Sequence, residues 1–269
     1  MYLCELYMKR TIFIIIRKSI ILVTMVIFTL LLVSVIFTVH AAKYFEEDGK
    51  TYIIVIDPGH GGVDGGTYIG NLYEKDINLD IAKKTKAYLE QKGHIVIMTR
   101  DKDISLDSLC SADIGRHRKD LSARADIINH SGASIFISIH INSNFGNPAT
   151  NGSVVFFHNK SSSGKVLAYD VQRALNNVLA DGIKRSIHNP VPADYFLLRN
   201  TSIPGLIVEA AFISNRKERE LLTNQKFKDD LAFAIGEGII KYFNKSNFVL
   251  QVTGHYINLA DYVDSLFGR

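Results

Sequence analysis

Tryptophan is absent from the 269 residues, proline occurs five times and cysteine twice. With only Cys4 and Cys110, a disulfide-stapled scaffold is excluded. The few prolines, 47% hydrophobic and 22% charged residues exclude collagen, coiled coil and disorder. No stretch repeats at a fixed period, so a repeat array is excluded as well. Charge of one sign is also scarce. Residues 1–42 hold Lys9, Arg10, Arg17 and Lys18 against Glu5, which leaves 27 basic and 26 acidic residues beyond them. The pI near 8.9 therefore reflects that basic cluster, and nucleic-acid binding is not supported.

What the chain does have is one long apolar run. Ile20 to Val39 carries no charge and is interrupted only by Thr24, Thr29, Ser34 and Thr38. At about 1.5 Å per residue a helix of this length spans roughly 30 Å, the hydrocarbon thickness of a bilayer. A single such run in a chain with mean hydropathy of +0.08 excludes a polytopic membrane protein. Arg17 and Lys18 precede it, so the positive-inside rule places a basic N-terminus, residues 1–19, in the cytoplasm and the remainder outside. The reading is an uncleaved transmembrane anchor over 20–42, since the run exceeds the h-region of a signal peptide; Val39-His40-Ala41 is the alternative cleavage site, giving a secreted domain. Met8-Lys9-Arg10 also has the form of a translation start. In this topology Cys4 and Cys110 lie on opposite sides of the membrane and cannot pair, and Cys110 reads as a loop thiol without a role.

After a linker at 43–51, residues 52–243 alternate between two periodicities. Strands are expected at 52–57, 94–99, 134–141, 151–158 and 206–211. Helices are expected at 74–91, 121–129, 165–179, 217–222 and 227–242. The order predicts an α/β fold with a mainly parallel twisted sheet flanked by helices on both faces, preceded by the N-terminal transmembrane helix. Residues 244–269 form a tail of unknown role in which Leu259, Val263, Leu266 and Phe267 could share one helix face.

In such a sheet ligands gather at the carboxyl ends of the strands. One strand runs into Asp57-Pro58-Gly59-His60-Gly61-Gly62, and another ends Ser138-Ile139-His140. Glu209 interrupts the apolar run Leu206-Ile207-Val208, and Glu74 opens a helix whose dipole favours a carboxylate. Alternation puts Phe136, Ser138 and His140 on one face of their strand. Taken singly, His60, His140 and Glu74 are more often satisfied core or surface residues than ligands. Glu209 is harder to set aside, because an unpaired carboxylate in a buried strand costs several kcal/mol. Two imidazoles and a carboxylate form a catalytic zinc set with a fourth position open to water, and a further carboxylate can accept that water's proton.

These residues also match a known pattern. Asp57-Pro-Gly-His-Gly-Gly62, Glu74, Ser138-Ile-His-Ile-Asn142 and Leu198-Arg-Asn-Thr201 through Val208-Glu-Ala-Ala-Phe-Ile-Ser-Asn215 resemble the zinc-dependent N-acetylmuramoyl-L-alanine amidases of the Amidase_3 type, over about 52–243. The resemblance implies one Zn2+ held by His60, Glu74 and His140, with Glu209 as the catalytic glutamate. It implies hydrolysis of the amide between muramic acid and L-alanine in peptidoglycan. Arg199 and Asn200 are candidates for holding substrate. Asp57 is a candidate for orienting His60 or the turn that carries it, Asn142 for the same role near His140, and His188 is the one of the remaining histidines most expected to face substrate. Two positions depart from the family pattern: Ile141 stands where alanine is common, and Glu209-Ala210-Ala211-Phe212 stands for Glu-x-Gly-Phe. Both bear on pocket shape and neither removes a ligand.

One membrane segment with a single catalytic domain resembles the germination-specific, spore-cortex amidases of spore-forming Firmicutes. A Lys- and Ile-rich, tryptophan-free chain fits an AT-rich Gram-positive genome. The implied partners are peptidoglycan, the membrane through the N-terminal segment, and an accessory activator protein. The alternatives are a vegetative autolysin in cell separation, a non-catalytic wall-binding scaffold, and a zinc carboxypeptidase acting on the stem peptide. A scaffold would need none of His60, Glu74, His140 and Glu209.

Overall fold

The computed structural model describes residues 22–36 and 50–253. The chain divides into two units, Met1–Asp48 and Gly49–Arg269. In the first, residues 22–36 form a helix, α1, with its apolar side chains exposed. Among the described residues no helix is long and apolar enough to cross a membrane. The flanks of the expected anchor, 20–21 and 37–42, lie outside the described residues. So does the expected apolar face at Leu259, Val263, Leu266 and Phe267.

The second unit is an α/β layer structure. Its elements are β1 (Ile53–Pro58), β2 (Tyr68–Ile69), β3 (Leu72–Tyr73), α2 (Glu74–Gln91), β4 (Ile95–Met98), α3 (Arg116–His130), β5 (Ile135–Asn142), β6 (Val154–Phe157), α4 (Ser162–Leu175), β7 (Leu179–Ala180), β8 (Ile183–Lys184), β9 (Val191–Pro192), α5 (Phe196–Asn200), β10 (Gly205–Phe212), α6 (Arg216–Leu221) and α7 (Gln225–Thr253). Six strands form one sheet in the order β4-β1-β5-β10-β6-β9. The four strands β4, β1, β5 and β10 are mutually parallel. β6 runs antiparallel to β10, and β9 follows β6. The sheet is thus mixed and mostly parallel. The connection from β5 to β6, residues 143–153, contains no helix, and a parallel return calls for a crossover of a dozen or more residues, usually helical.

Strand alternation divides the core into two layers. Ile54, Ile56, Ile135, Ile137, Ile139 and Val208 pack with Ile77, Ile81, Leu167, Val171, Leu231 and Ile235 of α2, α4 and α7. On the other face Val55, Phe136 and Ile207 pack against Ala125 and Ile128 of α3 and Leu197 and Leu198 of α5. Each fully buried Ile or Leu contributes roughly 1.5–3 kcal/mol, so these two layers fix the strand register. That register places the carboxyl ends of β1, β5 and β10 side by side.

α3 starts at Arg116, five residues before the apolar periodicity begins. Its polar first turn is held by Asp120, whose Oδ1 accepts from Leu106 N–H at 2.7 Å and Oδ2 from Arg124 Nε at 2.6 Å. α7 continues past Phe243 to Thr253.

Candidate active site

β1 stops at Pro58, and the next residue continues alongside β5 under the His140 ring. Gly59 N–H donates to Ile139 C=O at 2.9 Å. A Cβ on Gly59 would lie 2.2 Å from the His140 ring, so no other residue fits there. His60 follows with φ of +61°, a left-handed conformation that a non-glycine residue adopts only when its surroundings hold it.

Two buried arginines do the holding. Arg100 donates from Nε to Pro58 C=O at 3.0 Å and from Nη2 to Gly59 C=O at 2.9 Å. Arg124 donates from Nη1 to Pro58 C=O at 2.8 Å and from Nη2 to His60 C=O at 2.7 Å. Asp57 supplies the countercharge, accepting from Arg124 Nη1 at 2.6 Å, Ser138 Oγ at 2.6 Å and Thr99 Oγ1 at 2.5 Å. Burial alone would push the Asp57 carboxyl up. The Arg124 guanidinium and the two hydroxyls outweigh it and hold the group below the usual carboxylate range.

The side chains of His60, Glu74 and His140 converge, with one potential ligand atom from each lying within 4.8 Å of the others. Glu74 Oε1 is 3.2 Å from His60 Nε2 and 3.1 Å from His140 Nδ1. These separations match the roughly 3.3 Å edge of a tetrahedron with zinc–ligand distances of about 2.0–2.1 Å, and the N, N, O donor set suits zinc. His60 Nδ1 faces Asp64 Oδ2 at 3.0 Å, which directs Nε2 toward the cluster. Glu74 is aimed by its position at the first residue of α2. Its Oε2 accepts from Thr67 N–H at 2.8 Å and its Oε1 from Ile141 N–H at 3.2 Å. Asn78, one turn along α2, bridges Glu74 Oε1 and Gly59 C=O.

Electrostatics express the same closeness. Burial would lower the His60 imidazole, yet hydrogen bonds and charge from Glu74 and Asp64 raise it to about 9. Burial would raise the Glu74 carboxyl, yet the two imidazoles hold it well below the carboxylate range.

Glu209 sits in β10 as the register partner of His140. Its Oε2 is buried and has no hydrogen-bond partner among the described residues. Burial pushes the carboxyl up to about 7, against the pull of His140 and with a further push from Glu74. A buried acceptor left without a donor, on a group poised near neutrality, suits proton transfer to and from a bound reactant.

The other candidates are placed as follows. Asp57 bonds no atom of the His60 ring; it reaches the His60 carbonyl through Arg124. Asn142 Oδ1 accepts from Ser143 N–H at 2.7 Å, at the end of β5. Arg199 is exposed and donates from Nη1 to the carbonyl and carboxylate of Asp194, both at 2.9 Å. Asn200 Nδ2 donates to Phe196 C=O, and its own carbonyl accepts from Asn129. His188 Nε2 lies 2.8 Å from Asn151 C=O, a bond that braces the loop before β6. Sequence reasoning misses Asp64, Asn78, Arg100, Arg124 and Tyr195. The signal for Asp64 is a carboxylate four residues after His60 in a glycine-rich turn. Tyr195, at the N-cap of α5, has its hydroxyl raised by burial and by the charge of Glu209.

Residues 54–241 match the profile of Amidase_3, N-acetylmuramoyl-L-alanine amidase. The chain is 36% identical over 194 residues to the germination-specific N-acetylmuramoyl-L-alanine amidase of Bacillus subtilis strain 168, covering 72% of this chain and 80% of that protein. Among solved structures it is similar to the CwlD amidase of Clostridioides difficile in complex with the GerS lipoprotein, with TM-score 0.66 and 32% identity over 72% of this chain and all of that one. It is also similar to the amidase AmiC2 of Nostoc punctiforme, with TM-score 0.60 and 33% identity over 71% of this chain and 97% of that one. The profile match, the shared fold and the His60–Glu74–His140 cluster agree, and the chain belongs to the Amidase_3 family of N-acetylmuramoyl-L-alanine amidases.

Proposed function

We propose that this chain removes stem peptides from spore-cortex peptidoglycan by hydrolysing the amide between N-acetylmuramic acid and L-alanine, a step that precedes muramic-δ-lactam formation and serves germination. The observation that carries the chemistry is the convergence of three potential ligands beside Glu209, whose Oε2 is buried and without a hydrogen-bond partner among the described residues. His60, Glu74 and His140 would hold a zinc ion, which when bound would supply Lewis-acid polarisation of the scissile carbonyl. Glu209 takes a proton from the attacking water and delivers it to the departing α-amino nitrogen of L-alanine. The carbonyl carbon gains oxygen as its bond to nitrogen breaks, leaving a lactyl carboxylate and a free peptide. Asp64 fixes the His60 ring, and Asp57 acts on the same turn through Arg124. Asn142 steadies the strand end that follows His140. Arg199 and Asn200 remain the proposed substrate contacts, with Arg199 exchanging Asp194 for a substrate carboxylate.

The catalytic unit is 52–243, tethered outside the cytoplasm by an anchor over 20–42; the uncharged run Ile20 to Val39 behind Arg17 and Lys18 supports that placement. An accessory lipoprotein is a fitting partner, since a related amidase was solved in complex with one. The cortex role is tested by muropeptide analysis of spores lacking the gene. Loss of muramic-δ-lactam, restored by the wild-type chain and not by Glu209→Ala, is the expected result. Normal lactam content together with chained vegetative cells would instead support the autolysin reading.

A further inference from the structure

β10 does not run smoothly past the site. Glu209 pairs with His140, but the next pair along β5 is Asn142 with Phe212, so β10 carries one more residue than its neighbour between these points. Such a bulge re-aims the side chains beside it, and it frees backbone groups from the ladder. Here those groups are captured by three side chains from elsewhere in the fold. Ala210 C=O accepts from Arg185 Nη2 at 2.7 Å and from Ser153 Oγ at 2.7 Å. Phe212 N–H donates to Glu218 Oε2 at 2.7 Å.

The captors are joined to each other. Arg185 Nε donates to Glu218 Oε1 at 2.6 Å and Arg185 Nη1 to Ser153 Oγ at 3.1 Å. Glu218 Oε1 also accepts from Gly152 N–H at 3.0 Å. Both charged side chains are 2% exposed. Glu218 is placed by the start of α6, where Asn215 caps its N–H, and the Arg185 guanidinium lies 5.2 Å from the Phe227 ring centroid. A planar fork suits this geometry, because one guanidinium serves a carboxylate, a hydroxyl and a carbonyl at once.

We propose that Arg185, Glu218 and Ser153 are positioning residues that lock the β10 bulge and so fix the direction of the Glu209 carboxylate; this rests on the reading that Glu209 moves the proton. A buried ion pair is commonly structural and contributes little net stability. This one grips the 210–211 and 211–212 peptide units, one residue beyond Glu209, and a misplacement near 1 Å can cost about 100-fold in rate.

The test uses the full-length, zinc-loaded chain acting on soluble muropeptide, with kcat, KM, zinc affinity and Tm measured for each variant. Arg185→Lys keeps the charge and loses the fork. Ser153→Ala removes one hydroxyl and serves if Arg185→Lys does not fold. We expect kcat to fall about 100-fold in Arg185→Lys and about 5–10-fold in Ser153→Ala, with KM and zinc affinity within about twofold of wild type. In a Glu209→Gln background neither change should lower the residual rate further, because the group being aimed is gone. Unchanged kcat in a folded variant, or an equal loss in the Glu209→Gln background, would overturn the positioning role and leave the zinc amidase reading intact. A Glu209→Gln enzyme with wild-type kcat would overturn the proton-transfer reading itself, and the inference with it.

Discussion

Glu209 of β10 stands opposite His140 of β5 in the parallel ladder, so a carboxylate and a metal-type imidazole project side by side from neighbouring strands. Cα atoms so paired lie about 4.8 Å apart, which sets the base beside the ligand cluster without making it a member.

That separation of roles is visible in Glu209→Gln. The amide is nearly isosteric and cannot take a proton, so turnover should fall by about 10²–10⁴-fold while zinc remains bound at one per chain. Tm at pH 8 should not fall, because the substitution removes a buried group whose ionisation is disfavoured. Metal analysis, peptide release and calorimetry on one preparation check all three.

Asp64 and the metal histidines should separate in their effects on zinc. His60→Ala and His140→Ala each remove a donor, and equilibrium dialysis should find no stoichiometric zinc. Asp64→Ala leaves the donors and loses the partner of His60 Nδ1. Zinc affinity should weaken by about 10–100-fold and occupancy should return at high zinc.

The clamp under His60 should appear in stability. Arg124→Met leaves Asp57 buried with its charge uncompensated, a loss of about 3–5 kcal/mol that urea melts of the metal-free chain would register. The Asp57 carboxyl is held below its unfolded value, so its contribution is present above about pH 3.9 and lost as pH falls through the folded value. Acid unfolding of the wild type should therefore be steeper than that of Arg124→Met.

His60 gives the opposite pH sign. Its folded pKa of about 9 lies above the unfolded value near 6.5, so its contribution to the metal-free chain is complete below about pH 6.5 and lost as pH rises through 9. Zinc must displace that proton, so zinc affinity should climb across the same window. Scanning calorimetry of metal-free protein and a chelator competition, each from pH 6 to 9.5, should move in opposite directions.

Much of this arrangement is legible in the sequence where the periodicity is local. Ile77, Ile81 and Leu89 at helical spacing, with Gly93 as the stop, define α2 to the residue, and Glu74 falls at its start. Period-two alternation defines β5 and puts His140 on the face of Ser138 and Phe136. The direction of β6 is not legible, because pairing with β10 is a long-range choice that neither segment encodes alone. α5, with five residues, is too short to show a period. Arg124 and Asp57 are 67 positions apart, and Arg185 and Glu218 are 33 apart. Arg124, Arg185 and Glu218 each read singly as ordinary charged residues, and only the fold reveals that they are buried and that Arg124 pairs with Asp57 and Arg185 with Glu218.

The most direct measurement is mass spectrometry of peptidoglycan digested by the purified full-length chain, with zinc, with a chelator, and with Glu209→Gln in parallel. A zinc amidase predicts intact stem peptides beginning at L-alanine and glycan strands ending their lactyl groups in free carboxylates, dependent on both the metal and Glu209. Single amino acids released from the stem's C-terminus, or no products from a chain carrying bound zinc, would contradict it.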